Sequence, residues 1–383
     1  MHGTFQTPNS LSPDLSLMNI SGFADDIETL REDVYSSISQ TDFYHLLKVE
    51  RWGKISTIFG YLTAWILPNP ISAFALSLGQ FTRWLLAHHI LHKGYDRVPE
   101  IPAHYSSKGF AKGWRRFVDW FDWIDPKAWD YEHNILHHYH TGEQADPDLV
   151  EPHVDFLRSM KVPFFVKYFL MALVAMTWKF TYYAPNTMSV LDPTTNKRLK
   201  SQHILFISLK NIFDCSNKTV RALWLRCYLP YSIFHFAIIP FLFLPLGKTA
   251  VLYVLINKLI AECFTNIHSF MVIGPNHTAD DIHRFDFHYH GKKEFYATQV
   301  LGSANYNCGN DFIDYMSIWL NYQIEHHIFP DLPMTKYREI QPQVKALCAK
   351  HNIPYIQESI FKRFNRMLDV CVGKSSLRTL ERL

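Results

Sequence analysis

The sequence has no CxxC pairing among its six cysteines (Cys215, Cys227, Cys263, Cys308, Cys348 and Cys371), which excludes a disulfide-framed secreted scaffold and reads as reduced thiols. It has no dense basic run: 38 basic against 35 acidic side chains leave a formal charge of +3, so no nucleic-acid partner is expected. Residues 1–50 have neither a basic start nor an apolar h-region, so no cleavable signal peptide is expected. Glycine is scarce, its 15 residues outnumbered by 21 histidines. Disorder is excluded by an apolar share of 48%. The surplus of imidazole needs a reason.

What the sequence does have is long apolar stretches. From Ile55 to Leu91 the only charge is Arg83, and Leu67-Pro68-Asn69-Pro70 breaks the run in the middle. Cys227 to Gly247 carries no charge, and Thr249 to Ile273 carries only Lys258 and Glu262, four apart and placed to pair on one helix face. A span needs about 20 apolar residues, so these runs predict membrane helices at about 55–69, 71–87, 227–246 and 249–272. A further stretch, 164–183, is charge-free only from Tyr168 to Trp178 and predicts an interfacial or re-entrant helix. Counting it as a span would put Lys197, Arg198, Lys200, Lys210, Lys218, Arg221 and Arg226 outside, against the positive-inside rule. The expected fold is an all-α integral membrane protein. Four transmembrane helices form two hairpins, and a cytosolic helical cap holds a di-metal site. Residues 1–50 form a cytosolic N-terminal segment and 51–383 the membrane domain. Trp114 to Trp123 mixes aromatic and charged residues as a helix in the headgroup layer does, while 356–383 reads as amphipathic helix without identifiable chemistry.

The histidines fall in three clusters. His88 and His92 close the second predicted span, with His89 between them. His133 and His137 repeat the four-residue spacing, followed by His138. Gln323 precedes His326 and His327 by three and four residues. At these spacings each set shares a helix face. Seven histidines and a glutamine exceed what one ion takes, so two metals are the economical reading. Imidazole suits zinc, iron, copper and nickel alike, but the first cluster lacks the glutamate of an HExxH hydrolase. Nearby acids (Asp96, Glu132, Glu143, Asp146, Asp148 and Glu325) are candidates for orienting imidazole N–H groups.

Together the clusters resemble the HxxxH, HxxxHH and QxxHH boxes of the membrane fatty acid desaturases. Asn321-Tyr322-Gln323-Ile324-Glu325-His326-His327-Ile328-Phe329-Pro330 is most similar to the front-end type. The resemblance runs from about residue 55 to 335. It implies two iron ions, O2 as co-substrate, and metal contacts from His88, His92, His133, His137, His138, His326 and His327, with Gln323 as a weaker contact. It also implies a ligand near the end of the fourth span, for which His277 is chosen and His268 is the reserve. His89 is left beside the site, and His140, His283, His288 and His290 match no box. Front-end members often carry a fused cytochrome b5 domain with a His-Pro-Gly-Gly motif. These 383 residues contain none, so an external donor, cytochrome b5 or a ferredoxin, is expected.

The implied function is an O2-dependent desaturase of acyl lipids, embedded in membrane lipid with its site on the cytosolic side. The endoplasmic reticulum is expected in a eukaryote and the inner membrane in a bacterium. An unactivated methylene offers acid–base chemistry no handle, which is why a redox metal is needed. Trp65, Phe74, Phe81 and Trp84 are candidates for lining the acyl channel. Two alternatives remain open: a di-iron lipid hydroxylase or ketolase using the same oxidant, and a non-redox metal-binding membrane receptor or transporter. A transporter would place its ligands near the bilayer midplane, whereas these clusters sit at span ends and in cytosolic segments.

Overall fold

A computed structural model describes residues 15–191, 207–208 and 210–383. Lys197, Arg198 and Lys200 of the charge argument, and the first 14 residues, lie outside the described residues. The frame is helical. Its longer helices are α1 (Ile20–Ser36), α2 (Gln40–Ala64), α3 (Pro70–Leu91), α4 (Phe164–Met176), α5 (Lys218–Leu246), α6 (Lys248–Ile273), α7 (Gly291–Leu301), α8 (Gln323–Ile328), α9 (Met334–Lys350) and α10 (Ile360–Val372). Strand pairs are minimal: β1 (His283–Phe285) runs parallel to β4 (Arg378–Leu380), and β2 (Asn305–Tyr306) parallel to β3 (Gln357–Glu358).

The α2–α3 hairpin follows from its turn chemistry. Asn69 caps α3 by accepting from the Ser72 amide at 2.8 Å, and Pro70 takes the first helical position, where its missing N–H costs nothing. Asn257 of α6 fastens the same turn: its side chain accepts from the Asn69 amide and donates to the carbonyls of Ala64 and Leu67. Thr82 lies so close to Gly53 that an added Cβ would come within 2.5 Å of it, and a Cβ on Gly79 would collide with Thr57. Small residues thus let the two backbones approach.

Among the described residues, α5 and the helix Lys248–Asn276 are long and apolar enough to cross a membrane. A third candidate is the pair Phe164–Met176 and Lys179–Val190, bent by 84°. Such a bend fits a broken span as well as the interfacial or re-entrant helix expected there. Helix α2 starts at Gln40 and carries Lys48, Glu50, Arg51 and Lys54 before its apolar half, so it runs unbroken through residue 50. The pairing expected between Lys258 and Glu262 does not form. Glu262 instead accepts from Gln80 at 2.9 Å, Trp123 at 3.1 Å and Tyr231. Three neutral donors from other elements outcompete the lysine for one carboxylate.

The N-terminal segment has a structural use that its sequence did not reveal. Phe23, Ile27, Leu30 and Val34 form one buried stripe of α1, which packs against α7 and α9. The third histidine cluster is reached through two consecutive left-handed residues, Ile318 (φ 47°) and Trp319 (φ 59°). A β-branched residue rarely adopts this conformation. It is held by His89, whose Nε2 donates to the Ile318 carbonyl at 2.9 Å, and by the Trp319 amide bonding to the Asp314 carbonyl.

Gly79→Leu is expected to force α2 and α3 apart and to destabilise the protein by about 1–3 kcal/mol. Thermal unfolding in detergent checks this, and an unchanged midpoint would contradict the close-packed hairpin.

Candidate metal centre

Three separate stretches of chain converge on one buried chamber. The end of α3 brings His88 and His92. A π-helical turn, Glu132–His137, brings His133 and His137 and leads directly into His138. The extra residue in such a turn re-aims the side chains that follow it, so the second cluster contributes to both halves of the chamber. Helix α8 brings His326 and His327, one to each side of the chamber.

The nitrogens group into two sets. His88, His92, His133 and His326 offer ligand atoms that all lie within 4.8 Å of one another, and so do His137, His277 and His327. A third, overlapping set joins His133 and His137 to Asp148. His138 lies between the two main sets: its ring stacks on His327 at 4.3 Å and stands 4.5 Å from His92 and 4.9 Å from His326.

Four rings have one nitrogen committed outward. The Nδ1–H of His137 donates to Asp146 at 2.9 Å, that of His277 to the Gly302 carbonyl at 2.9 Å and that of His327 to Gln299 at 2.9 Å. His326 Nδ1 donates to the Tyr337 hydroxyl at 3.1 Å, which passes its own proton to the carbonyls of Phe329 and Pro330. Each contact fixes the tautomer with Nε2 as the unprotonated nitrogen, although in His277 that nitrogen already accepts from Gln323 at 2.8 Å, a bond that ligation would replace. Inside, His92 Nε2, His327 Nε2 and both nitrogens of His133 and His138 have no hydrogen-bond partner among the described residues. Buried polar atoms are ordinarily satisfied. So many converging orphans fit a pair of metal ions.

The electrostatics agree. Burial holds His133, His138, His326 and His327 far below the ordinary imidazole range, and His277 is lowered to about 3. Neutral imidazole is the ligating form. His137 is the exception: burial opposes its charge, but the Asp146 carboxylate outweighs burial and raises it. Burial also pushes Asp148 up to about 6 and raises Glu132 strongly, with the neighbouring carboxylates adding to it.

Several expected residues lie elsewhere or act differently. Gln323 donates to His277 Nε2 at 2.8 Å and accepts from Asn276 at 2.9 Å, so it serves as a partner of a candidate ligand. His268, the reserve, stacks on Phe81 and donates to the Met316 carbonyl at 2.7 Å, outside both sets. Glu325 touches no imidazole: it faces away from its neighbours on α8 and accepts from Asn305 and Tyr355, with burial raising its carboxyl to about 7. Asp96 holds the amide and hydroxyl of Ser107. Of the histidines outside the boxes, His283 is buried in β1 rather than exposed, because β4 covers it. His140 and His288 both bond to Glu143 and form a separate, partly exposed group with it. Tyr337, Gln299 and the Gly302 carbonyl had no signal in the sequence, because ordinary polar residues far along the chain carry no motif.

A narrow cleft with a free volume of about 90 Å³ opens beside the chamber. His88, His133, His137 and His277 stand at its head, and Trp84, Met171, Val174, Phe270 and Met367 make its apolar walls. Of the four channel candidates only Trp84 lines it. Phe81 is turned to His268, Phe74 packs on Phe264, and Trp65 is partly exposed, since the cleft lies on the other side of α3. The wall from α10 was unexpected.

A mostly helical chain, with apolar helices beside a buried cage of neutral imidazoles, defines a membrane-associated, metal-binding class of protein. The fatty acid desaturase family model matches residues 63–359. The chain is similar to the NADPH-dependent stearoyl-CoA 9-desaturase of Mycobacterium tuberculosis, 34% identical over 112 residues, which are 28% of this chain and 26% of that protein. Fatty acid desaturase 3 of Bos taurus is 25% identical over 312 residues, 76% of this chain and 58% of that one. Delta(5) fatty acid desaturase A of Dictyostelium discoideum is 23% identical over 352 residues, 87% of this chain and 71% of that one. The chain thus spans about a quarter of the mycobacterial relative and just over half of the bovine one. It belongs to the fatty acid desaturase family.

Two measurements test the cage. Elemental analysis should find two metal ions per chain, about one after His326→Ala, and still two after His268→Ala; full occupancy in the first variant would contradict the grouping. In metal-stripped protein the buried rings other than His137 accept protons only below the 6.5 at which they titrate when exposed, with His277 near 3. Their contribution to stability is therefore complete above about pH 6.5 and is lost as pH falls toward 3. The unfolding midpoint of stripped protein should drop through that window; a flat profile would contradict neutral burial.

Proposed function

We propose that this protein is an O2-dependent acyl-lipid desaturase working at a di-iron centre. The observation that carries the reading is an apolar cleft that ends on both sets of imidazole nitrogens. On this reading His88, His92, His133 and His326 hold one ion, His137, His277 and His327 the other, and His138 stands between them. Bound iron would supply the O2-dependent redox chemistry that removes hydrogen from an unactivated methylene.

The chain's own residues do the rest. Trp84, Met171, Val174 and Phe270 bind the acyl chain by burial of apolar surface and exclude water from the head of the cleft. The rings at that head set which carbons can react, and the depth beyond them sets how much tail fits. Asp146 holds the proton on His137 Nδ1, so that its Nε2 stays free. Gln323 steadies His277.

Desaturation removes two hydrogens from the chain, whereas O2 needs four electrons and four protons to become two waters. Two electrons and two protons must come from outside, and we assign the electrons to a separate carrier of the cytochrome b5 or ferredoxin kind. In the topology we favour, α2 and α3 cross as one hairpin, and α5 and α6 as the other. Exposed Ile55, Ile58, Phe59, Leu62 and Ile71 then face lipid. The helical cap and site lie on the cytosolic side, in the endoplasmic reticulum or a bacterial inner membrane according to the source.

Expression in a host lacking the activity, followed by lipid analysis that locates new double bonds, tests the reading. Product should vanish with His137→Ala and with His327→Ala. Val174→Trp should shorten the acceptable chain or move the double bond while metal content stays at two. New hydroxyl groups in place of double bonds would assign the hydroxylase alternative, and zinc in active protein would overturn the redox reading.

A further inference from the structure

The chamber is not closed on the side away from the acyl cleft. His92 and His138 form the floor of a second, wider groove whose walls come from the end of α3, the short helix Pro126–Tyr131, the turn bearing the second cluster, α1 and α7. The two openings share no ligand ring: His88, His133, His137 and His277 face the apolar cleft, His92 and His138 this groove. One centre is thus approached from two sides by two different surfaces.

The chemistry of the second surface is specific. At its middle, Ile135 and Tyr139 are 50% and 55% exposed. They sit on the outer face of the helical turn whose inner face carries His133, His137 and His138. Around them stand Arg31, Lys93, Lys127 and Lys292, against Asp130 and Asp331. Lys93 and Lys127 are exposed and make no ion pair among the described residues. An apolar middle with a polar rim is the anatomy of a protein interface, and unpaired cations on that rim select an acidic partner and steer its approach. An acyl chain has no use for this rim.

We infer that this groove is the docking surface for an acidic one-electron carrier protein. The inference rests on the desaturase reading, which requires two electrons per turnover from outside. Docking over Ile135 and Tyr139 sets the carrier against the one face of the centre that the substrate leaves free. Lys93 and Lys127 make the carrier's approach depend on charge, while the rings beneath it stay fixed by Asp146, Gln299 and Tyr337.

The test uses the full chain in lipid nanodiscs, with the soluble haem domain of cytochrome b5 and an acidic ferredoxin as separate probes. At low salt at least one carrier should bind. Binding should weaken steeply as salt is raised, because screening acts over about 10 Å at 0.1 M. Lys127→Glu with Lys93→Glu should weaken binding about tenfold or more, while metal content and turnover with a small chemical reductant stay unchanged. Lys127→Arg should bind as the parent does. Equal binding by the charge-reversed variant, or binding of neither carrier, would overturn the proposal. So would binding of coenzyme A that is lost in the variant while carrier binding persists, since the groove would then belong to a substrate head group. Absence of lipid product under chemical reductant, with carrier binding intact, would instead count against the desaturase reading alone.

Discussion

Everything else in this protein is arranged around keeping a crowd of imidazoles buried, neutral and aimed inward. Taking that many titratable rings out of water is costly unless each is held in one protonation state and one direction. The structure meets the first demand by burial, which suppresses protonation, and the second by outward hydrogen bonds from Nδ1 to Asp146, Gly302, Gln299 and Tyr337. Apart from His277, whose Nε2 accepts from Gln323, the inward nitrogens face one another, as the 3.1 Å approach of His88 Nε2 to His326 Nε2 illustrates. A cage of this kind could hold metal ions. The bonds around it fix ring orientation, and so belong to the site as much as the rings do.

The same constraint explains the strained and irregular pieces nearby. A regular α-helix through residues 132–138 would send His137 and His138 along one pair of directions only; the π turn spreads them over both halves of the chamber. The left-handed Ile318–Trp319 pair redirects the chain so that α8 enters with His326 and His327 astride the two sets. His89 belongs to the first histidine cluster and yet points outward, where it clamps that redirection. One helix end therefore supplies two rings to the cage and a third to the backbone that delivers the last two.

The site was legible in the sequence to the extent that its chemistry is concentrated in rare residues at fixed spacing. Histidine at intervals of three and four, placed after apolar runs, announces shared helix faces, and the structure gathers all three clusters in one chamber. The α2–α3 hairpin was legible for a similar reason, since Pro-Asn-Pro leaves little choice of conformation. What escaped was whatever depends on packing between distant segments. The walls of the cleft escaped because an apolar residue looks alike whether it faces lipid, a neighbouring helix or a substrate; Phe81 and Phe74, channel candidates for which lipid contact or helix packing is the preferred reading, pack on His268 and Phe264. The partners of the rings escaped because a tyrosine or glutamine carries no motif. The Lys258–Glu262 spacing misled because geometry along one helix says nothing of competing donors from elsewhere in the fold, here Gln80, Trp123 and Tyr231.

The cleft wall from α10 has a bearing on how the molecule comes into being. Met367 and Cys371 belong to residues 360–372, which follow the last of the caged rings, His327, by more than a helix of intervening chain. During synthesis the caged rings are therefore all made before the cleft has its last wall, which arrives with α10. Assembly order, and not only final shape, is written into where the chain places its walls.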